Sequence, residues 1–193
     1  MTRLVLCRHA RSGDAAEAVR LADALRSLPL VAVYTSPLAR AIETAKPVAV
    51  ARGLEPVEVA DLRELDFGEV DGLRFDELPL ELQRGLLDRP AEVAFPGGES
   101  YGELRTRVLA ALAEIVARHP GAAVAVVSHA GPIRAALATW LLMADEGVFR
   151  LDQRLASVNI VDWHDGIPFI RLVNAGAPID ARFRSGAPFP SGD

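Results

Sequence analysis

The stretch Leu4-Val5-Leu6-Cys7-Arg8-His9-Ala10-Arg11-Ser12 decides the fold, because it joins an apolar run directly to basic and small residues. Four apolar residues without polar alternation are typical of a strand that is buried on both faces of a parallel sheet. A helix-like segment begins soon afterwards, near Asp14. Arg8 and His9 are therefore expected at the carboxyl end of a central strand, where open α/β sheets bind their ligands.

The same order of elements recurs twice along the chain. The apolar run 31–34 is followed by Ser36 and Pro37, which suit the N-cap and the first position of a helix whose first turn carries Arg40. The apolar run 122–127 is followed by Ser-His-Ala-Gly-Pro and another helical pattern. If the three strands are parallel, their carboxyl ends share one edge of the sheet.

Four basic side chains are predicted to meet at that edge. They are Arg8, His9, Arg40 and His129. Arginines with helix N-termini behind them describe a phosphate site. The arginines would lower the pKa of His9, whose neutral ring can attack phosphorus, and would neutralise charge in the transition state. His129, if protonated, adds a donor, and the backbone at Ala130 adds N–H groups.

A leaving alkoxide needs a proton, and the candidate acid lies on the acidic loop 61–72. The length of this loop, without helical or strand period, indicates a functional loop over the sheet edge. Glu64 is the predicted acid, because it closely follows a strand end as the other site residues do. Glu69, Asp71 and Glu99 could also be site carboxylates, but such residues more often form a solvated loop face. Arg11 and Ser12 are candidate substrate-binding residues, although Arg11 also suits the surface.

The composition limits the classes of partner. The chain has 193 residues and a net charge of −5, and it has no basic run, which argues against nucleic acid and anionic membranes. The single cysteine, Cys7, excludes an intrachain disulfide and indicates a reducing, cytoplasmic compartment. His9, His129 and a loop carboxylate could ligate a metal, but neighbouring arginines would repel a dication, so no metal or cofactor is predicted.

The ordered set of motifs resembles the histidine phosphatase superfamily, the phosphoglycerate mutase-like proteins. The motifs are Arg8-His9-Ala10-Arg11-Ser12, residues 35–45 around Arg40, residues 62–69 around Glu64, Pro96-Gly97-Gly98-Glu99-Ser100, and residues 127–134 around His129. The motifs occur in the same order as in the family, and the resemblance extends over about residues 1–173. Broad-specificity and α-ribazole-phosphate phosphatases are the most similar in length and motifs.

This resemblance implies an α/β fold, a three-layer α/β/α sandwich with a mostly parallel central sheet, over residues 1–173, with a loose tail at 174–193. It implies a metal-independent phosphomonoester hydrolase that forms phosphohistidine on His9 and takes a small phosphorylated metabolite. Arg8, Arg40 and His129 would form the phosphate pocket, and Glu64 would donate the proton. The alternatives are a phosphoglycerate mutase and a phosphate-binding regulatory relative without catalysis.

The chain departs from the family pattern at two places. Ala10, Arg11 and Ser12 stand where the family has Gly, Glu and Thr, and Val70 stands where many relatives have Trp. The first difference suggests a more open site or an anionic substrate group near Arg11. Val70 suggests a looser pocket wall. The sequence leaves the natural substrate and the oligomeric state open.

Overall fold

The computed structural model describes residues 1–176, and a six-stranded sheet forms its centre. The strands are β1 (Thr2–Arg8), β2 (Leu30–Thr35), β3 (Pro56–Glu58), β4 (Ala123–Ser128), β5 (Val158–His164) and β6 (Ile167–Ala175). The α-helices of the described residues are α1 (Ala15–Ala24), α2 (Ala39–Val50), α3 (Leu80–Asp88), α4 (Tyr101–Arg118) and α5 (Ala130–Trp140). Short 3-10 turns connect several of these elements.

The sheet is mostly parallel, as the sequence predicted. Its strand order is β3-β2-β4-β1-β5-β6. β1 pairs in parallel with β4, β4 with β2, and β2 with β3. β5 pairs antiparallel with β1, and it forms an antiparallel hairpin with β6. The carboxyl ends of the four parallel strands therefore share one edge.

Residues of β1 alternate between two hydrophobic cores, one on each face of the sheet. Leu4 and Leu6 belong to the core that includes residues of α4 and α5. Val5 and Cys7 belong to the core that includes residues of α1 and α2. Because successive side chains of a strand point to opposite faces, an all-apolar strand requires helices on both sides. The fold is therefore the predicted three-layer α/β/α sandwich.

Two predicted boundaries differ from the structure. The sequence predicts Ser36 as the cap of α2, but the helix begins at Ala39 with Leu38 as its N-cap. The Ser36 hydroxyl contacts Nε2 of His129 and also accepts from the N–H of Leu38. The loose tail was expected from residue 174, but β6 continues to Ala175 because it pairs there with Val158. Residues 177–193 of the predicted tail lie outside the described residues.

A buried ion pair joins β1 to the β5–β6 hairpin. The Asp162 carboxylate is fully buried and accepts hydrogen bonds from Arg3 at 2.7 and 2.9 Å and from Arg171 at 3.0 Å. Burial alone would raise the pKa of Asp162, but hydrogen bonds from Arg3 and Arg171 hold this pKa below its ordinary value. This pair ties the antiparallel edge to the central strand.

Replacing Asp162 by Asn is expected to lower the free energy of unfolding by about 3–5 kcal/mol, because it removes the buried charge that binds Arg3 and Arg171. Since the folded-state pKa of Asp162 is lowered, its contribution is present near neutral pH and is lost as the pH falls through that pKa. Urea unfolding at neutral and acidic pH measures both effects. Asp23→Asn, in the exposed pair with Arg26, is the control and should change little. Equal effects of the two variants would contradict this account.

Candidate active site

The structure brings the basic residues that the sequence selected to one place at the carboxyl edge of the sheet. Arg8 ends β1 and His9 follows it, Arg40 lies in the first turn of α2, and His129 lies between β4 and α5. The rings of His9 and His129 are 5.0 Å apart between centroids. The Nε of Arg40 lies 3.2 Å from Nε2 of His9. Residues far apart in the chain therefore form one cationic cluster.

The hydrogen bonds of His9 define which ring nitrogen can react. Its Nδ1 lies 2.7 Å from the carbonyl oxygen of Ala10, which can only accept, so Nδ1 carries the proton. Nε2 accepts from the Nε–H of Arg40 and is therefore unprotonated. Burial lowers the pKa of His9, and the nearby charges of Arg40 and Arg8 lower it further. The ring is thus held neutral, with Nε2 as a potential nucleophile.

His129 is fully buried, and its environment favours the neutral ring in the free site. Burial lowers the pKa of His129 to about 2, and the charge of Arg40 is the second largest cause of this shift. Its Nε2 lies 2.7 Å from the hydroxyl of Ser36, which itself accepts from the N–H of Leu38. If the hydroxyl donates to Nε2, the proton of the neutral ring lies on Nδ1. Nδ1 is buried without a partner among residues 1–176, as expected for a donor that awaits a ligand.

Arg8 is held by a loop on the far side of the site. Its Nη1 donates to the carbonyl oxygen of Gln153 at 2.5 Å. Gln153 is buried and hydrogen-bonded to the side chain of Asn159, which anchors this loop to β5. The Nε of Arg8 is buried and has no hydrogen-bond partner within the described part of the chain. Arg8 therefore offers a second unsatisfied donor at the site.

Glu64 lies against the N-terminus of α5. Its Oε1 accepts from the backbone N–H groups of Leu65 and Gly131, each at 3.0 Å. Burial raises the pKa of Glu64, and this effect outweighs the opposing hydrogen bonds and the charges of Arg40 and Arg8. A carboxyl group with a raised pKa close to arginines suits a general acid.

Arg107 fixes the loop that carries Glu64, and sequence reasoning missed it. Its guanidinium donates to the carbonyl oxygens of Asp61 at 2.7 Å, Arg63 at 3.0 Å and Glu64 at 3.1 Å. It also forms a largely buried ion pair with Glu99, at 2.5 and 2.9 Å. The expectation of a site or solvated role for Glu99 is therefore corrected, because this carboxylate is a structural partner. No local spacing rule relates a helix residue to carbonyl groups more than forty positions away.

The remaining candidates lie at different depths. Arg11 and Ser12 are exposed, and the backbone N–H of Arg11 donates to the carboxylate of Glu17 at 2.6 Å. Ala130 is buried and begins α5, where the first N–H groups of a helix have no intrahelical acceptor. Thr44, which the sequence did not single out, accepts from the N–H of Ala10 at 2.9 Å and so fixes the turn after His9.

Replacing Gly131 by Ala is expected to displace the carboxylate of Glu64 and to leave the fold intact. A Cβ atom at this position would overlap Oε1 of Glu64, which is the movable end of a side chain. We expect kcat/KM for an alkyl phosphate to fall about 10- to 100-fold. This loss is smaller than the full rate contribution of a positioned acid, about 10²- to 10⁴-fold, because the displaced carboxyl group is still present. Steady-state kinetics and the melting temperature measure the two effects. Gly176→Ala, where no atom lies within 4 Å of the added group and the backbone is not left-handed, is the control. Unchanged turnover in Gly131→Ala would contradict the position of Glu64.

Metal-binding clusters and membrane spans were also sought. Within residues 1–176, no group of three or more His, Cys, Asp or Glu side chains could hold a metal ion. No helix in this range is both long and apolar enough to cross a membrane.

Comparison with known proteins identifies the family. Residues 13–176 match the histidine phosphatase superfamily (branch 1). The bifunctional protein Rv2228c of Mycobacterium tuberculosis is 39% identical over 149 residues, which are 75% of this chain but 41% of that protein. Phosphoserine phosphatase 1 of Hydrogenobacter thermophilus is 34% identical over 157 residues, 70% of this chain and 74% of that protein. The structure of YhfR from Bacillus stearothermophilus, 24% identical, superposes with a TM-score of 0.83 over 93% of this chain and 100% of that one.

The chain belongs to the histidine phosphatase superfamily, as its motifs indicated. The matched range begins four positions after His9, so the role of the first motif depends on the geometry described above. The match with this chain covers only about two fifths of the length of the mycobacterial relative.

Proposed function

We propose that the chain is a metal-independent phosphomonoester hydrolase that acts on a small phosphorylated metabolite through a phosphohistidine at His9. The observation that carries this proposal is the state of the His9 ring. Its Nδ1 donates to Ala10, and its Nε2 presents an electron pair 3.2 Å from the guanidinium of Arg40. An immobilised neutral imidazole beside fixed cations is arranged for attack on a phosphoryl group.

In the first step, the phosphoryl group binds between Arg8, Arg40 and the Nδ1–H of His129. Arg40 exchanges its hydrogen bond with His9 for one with a phosphoryl oxygen, which frees Nε2. Nε2 attacks phosphorus as the bond from phosphorus to the ester oxygen breaks. Glu64 donates its proton to the departing oxygen, so the alcohol leaves neutral. The guanidinium groups offset charge on the phosphoryl oxygens in the transition state.

In the second step, water replaces the alcohol beside Glu64. The carboxylate of Glu64 accepts a proton from this water, whose oxygen attacks phosphorus as the bond to Nε2 breaks. Inorganic phosphate leaves, His9 is again neutral, and Glu64 is again protonated. Burial raises the pKa of Glu64 above the ordinary value for a carboxyl group, which favours its role as the proton donor in the first step.

The relatives support a phosphatase, since one of them is named as a phosphoserine phosphatase. The cations around both histidines support a mechanism without a metal, because they oppose binding of a dication. A cytoplasmic location remains a prediction from the single cysteine. Cys7 is buried and burial raises its pKa to about 12, so its thiol has no part in this chemistry.

Hydrolysis of p-nitrophenyl phosphate with and without EDTA tests the proposal. We expect equal release of phosphate and nitrophenol in both conditions. Turnover that EDTA abolishes and a divalent cation restores would contradict it, and so would binding of the ester with no turnover in either condition. Dialysis against a chelating resin before the assay is the control for slowly released metal.

A further inference from the structure

A second concave feature, which the proposed chemistry does not use, lies beside the acid loop. It is a cavity of about 420 Å³, within the range of small-molecule sites. Segment 67–78, α3, Phe95 and Phe149 form its walls. Asp71 is the one charged residue among the described residues that line it, and the rest are apolar or glycine. We call this feature the apolar pocket.

The walls of the apolar pocket expose several large hydrophobic side chains. Leu73, Phe75, Leu87 and Phe149 all line the pocket and are 50%, 47%, 60% and 48% exposed. Scattered apolar residues on a surface need no explanation, but a concave group of them marks a binding site. Burying such a surface under an apolar ligand is favourable by about 25 cal/mol per Å².

Chain connectivity places the apolar pocket next to the phosphate site. Phe67 of the pocket is three residues beyond Glu64, so their Cα atoms are at most about 11 Å apart. Phe149 of the pocket is four residues before Gln153, so their Cα atoms are at most about 14 Å apart. The carbonyl oxygen of Gln153 accepts a hydrogen bond from Arg8. The pocket therefore lies close both to Glu64 and to the loop that holds Arg8.

The wall nearest to Glu64 is rigid. The rings of Phe67 and Phe95 pack edge to face with centroids 5.1 Å apart. Gly68, at φ +53°, contacts the backbone of residues 96–98 so closely that a Cβ atom would overlap it. The N–H of Glu69 donates to the carbonyl oxygen of Pro96 at 2.8 Å. A wall fixed in this way is preformed for a ligand.

We propose that the apolar pocket binds the organic group of the substrate, so that the preferred esters carry an uncharged, hydrophobic leaving group. This inference rests on the phosphatase activity proposed above. A substrate with a second anionic group would find no cationic side chain among the described lining residues. Arg11 lines a different cavity, together with Lys46, and so takes no part in this recognition.

The test is kcat/KM for straight-chain alkyl monophosphates from ethyl to hexyl. Their leaving alcohols have nearly equal acidity, so the chemistry is constant while the apolar area grows. Burial of a methylene group contributes up to about fourfold in affinity. We expect kcat/KM to rise about two- to fourfold for each of the four added methylenes, which gives about 16- to 256-fold from ethyl to hexyl.

Two variants assign this dependence to the apolar pocket. Phe75→Glu and Leu87→Glu each place a charge on an exposed wall of the pocket without touching the core. Each should reduce the hexyl-to-ethyl ratio to less than about threefold, while ethyl phosphate turnover stays within about twofold of the wild type. Leu142→Glu is the matched control, because Leu142 is 91% exposed and is not a lining residue. It should keep the wild-type ratio.

The outcomes separate this inference from the proposed function. Equal kcat/KM for ethyl and hexyl phosphate in the wild type would overturn the inference and leave the phosphatase intact. No turnover of any ester would overturn both. A flat series together with a smaller sedimentation coefficient in Leu87→Glu would mean that the pocket is an interface between two copies of the chain, which also overturns the inference.

Discussion

Replacing His9 by Ala is expected to lower kcat for p-nitrophenyl phosphate by about 10⁴-fold or more, because no other group can then form the phosphoenzyme. The substitution removes one hydrogen bond to the Ala10 carbonyl and one to Arg40, so the fold should persist. Steady-state kinetics on protein with a wild-type circular dichroism spectrum measures the effect.

His164→Ala is the matched control for the loss of His9. His164 ends β5, beside the hairpin turn to β6, and takes no part in the proposed chemistry. We expect it to retain turnover close to that of the wild type. If His9→Ala instead kept more than a few per cent of the wild-type kcat, His9 could not be the nucleophile, and the proposed reaction path would be wrong.

Replacing Glu64 by Gln is expected to lower kcat/KM for an alkyl phosphate by about 10²- to 10⁴-fold, because the alkoxide then leaves without a proton. The same variant should change kcat/KM for p-nitrophenyl phosphate much less, since a nitrophenolate departs without protonation. kcat/KM is the appropriate parameter, because it reports the steps up to phosphoryl transfer and excludes the later hydrolysis. Equal losses for the two esters would contradict the role of Glu64 as the acid.

The pH profile of the alkyl ester gives an independent test of the same assignment. His9 must be unprotonated, so its lowered pKa should place the acidic limb below the ordinary value for histidine. Glu64 must be protonated, so its raised pKa should place the alkaline limb above the ordinary value for a carboxyl group. Glu64→Gln should lose the alkaline limb. The ester's own ionisation is common to both enzymes and cancels in the ratio of their profiles.

The meeting of His9, Arg40 and His129 could be predicted from the sequence for a simple physical reason. Each residue follows an uninterrupted apolar run, and such runs form parallel strands whose carboxyl ends share an edge. Glu64 could be selected by the same rule, because it follows the short edge strand β3. The fold and the place of the site were therefore contained in local patterns.

The protonation state of His129 could not be predicted, since it depends on burial by distant segments. Its partner Ser36 lies 93 residues away, and local rules assign such a serine to a helix cap. The hydrogen bonds from Arg107 to the carbonyl oxygens of the acid loop also join residues that are far apart in the sequence. The apolar pocket has the same origin, because separate segments contribute its walls and none of them is distinctive alone.

The most direct measurement of the central claim is a search for the phosphoenzyme during hydrolysis of p-nitrophenyl phosphate in EDTA. A rapid alkaline quench preserves phosphohistidine, and mass spectrometry of the peptides locates the phosphoryl group. We predict an acid-labile, base-stable adduct on His9 that forms and decays at rates consistent with turnover. Robust turnover without such an adduct, abolished by EDTA, would contradict the account and would assign the histidines to a metal site.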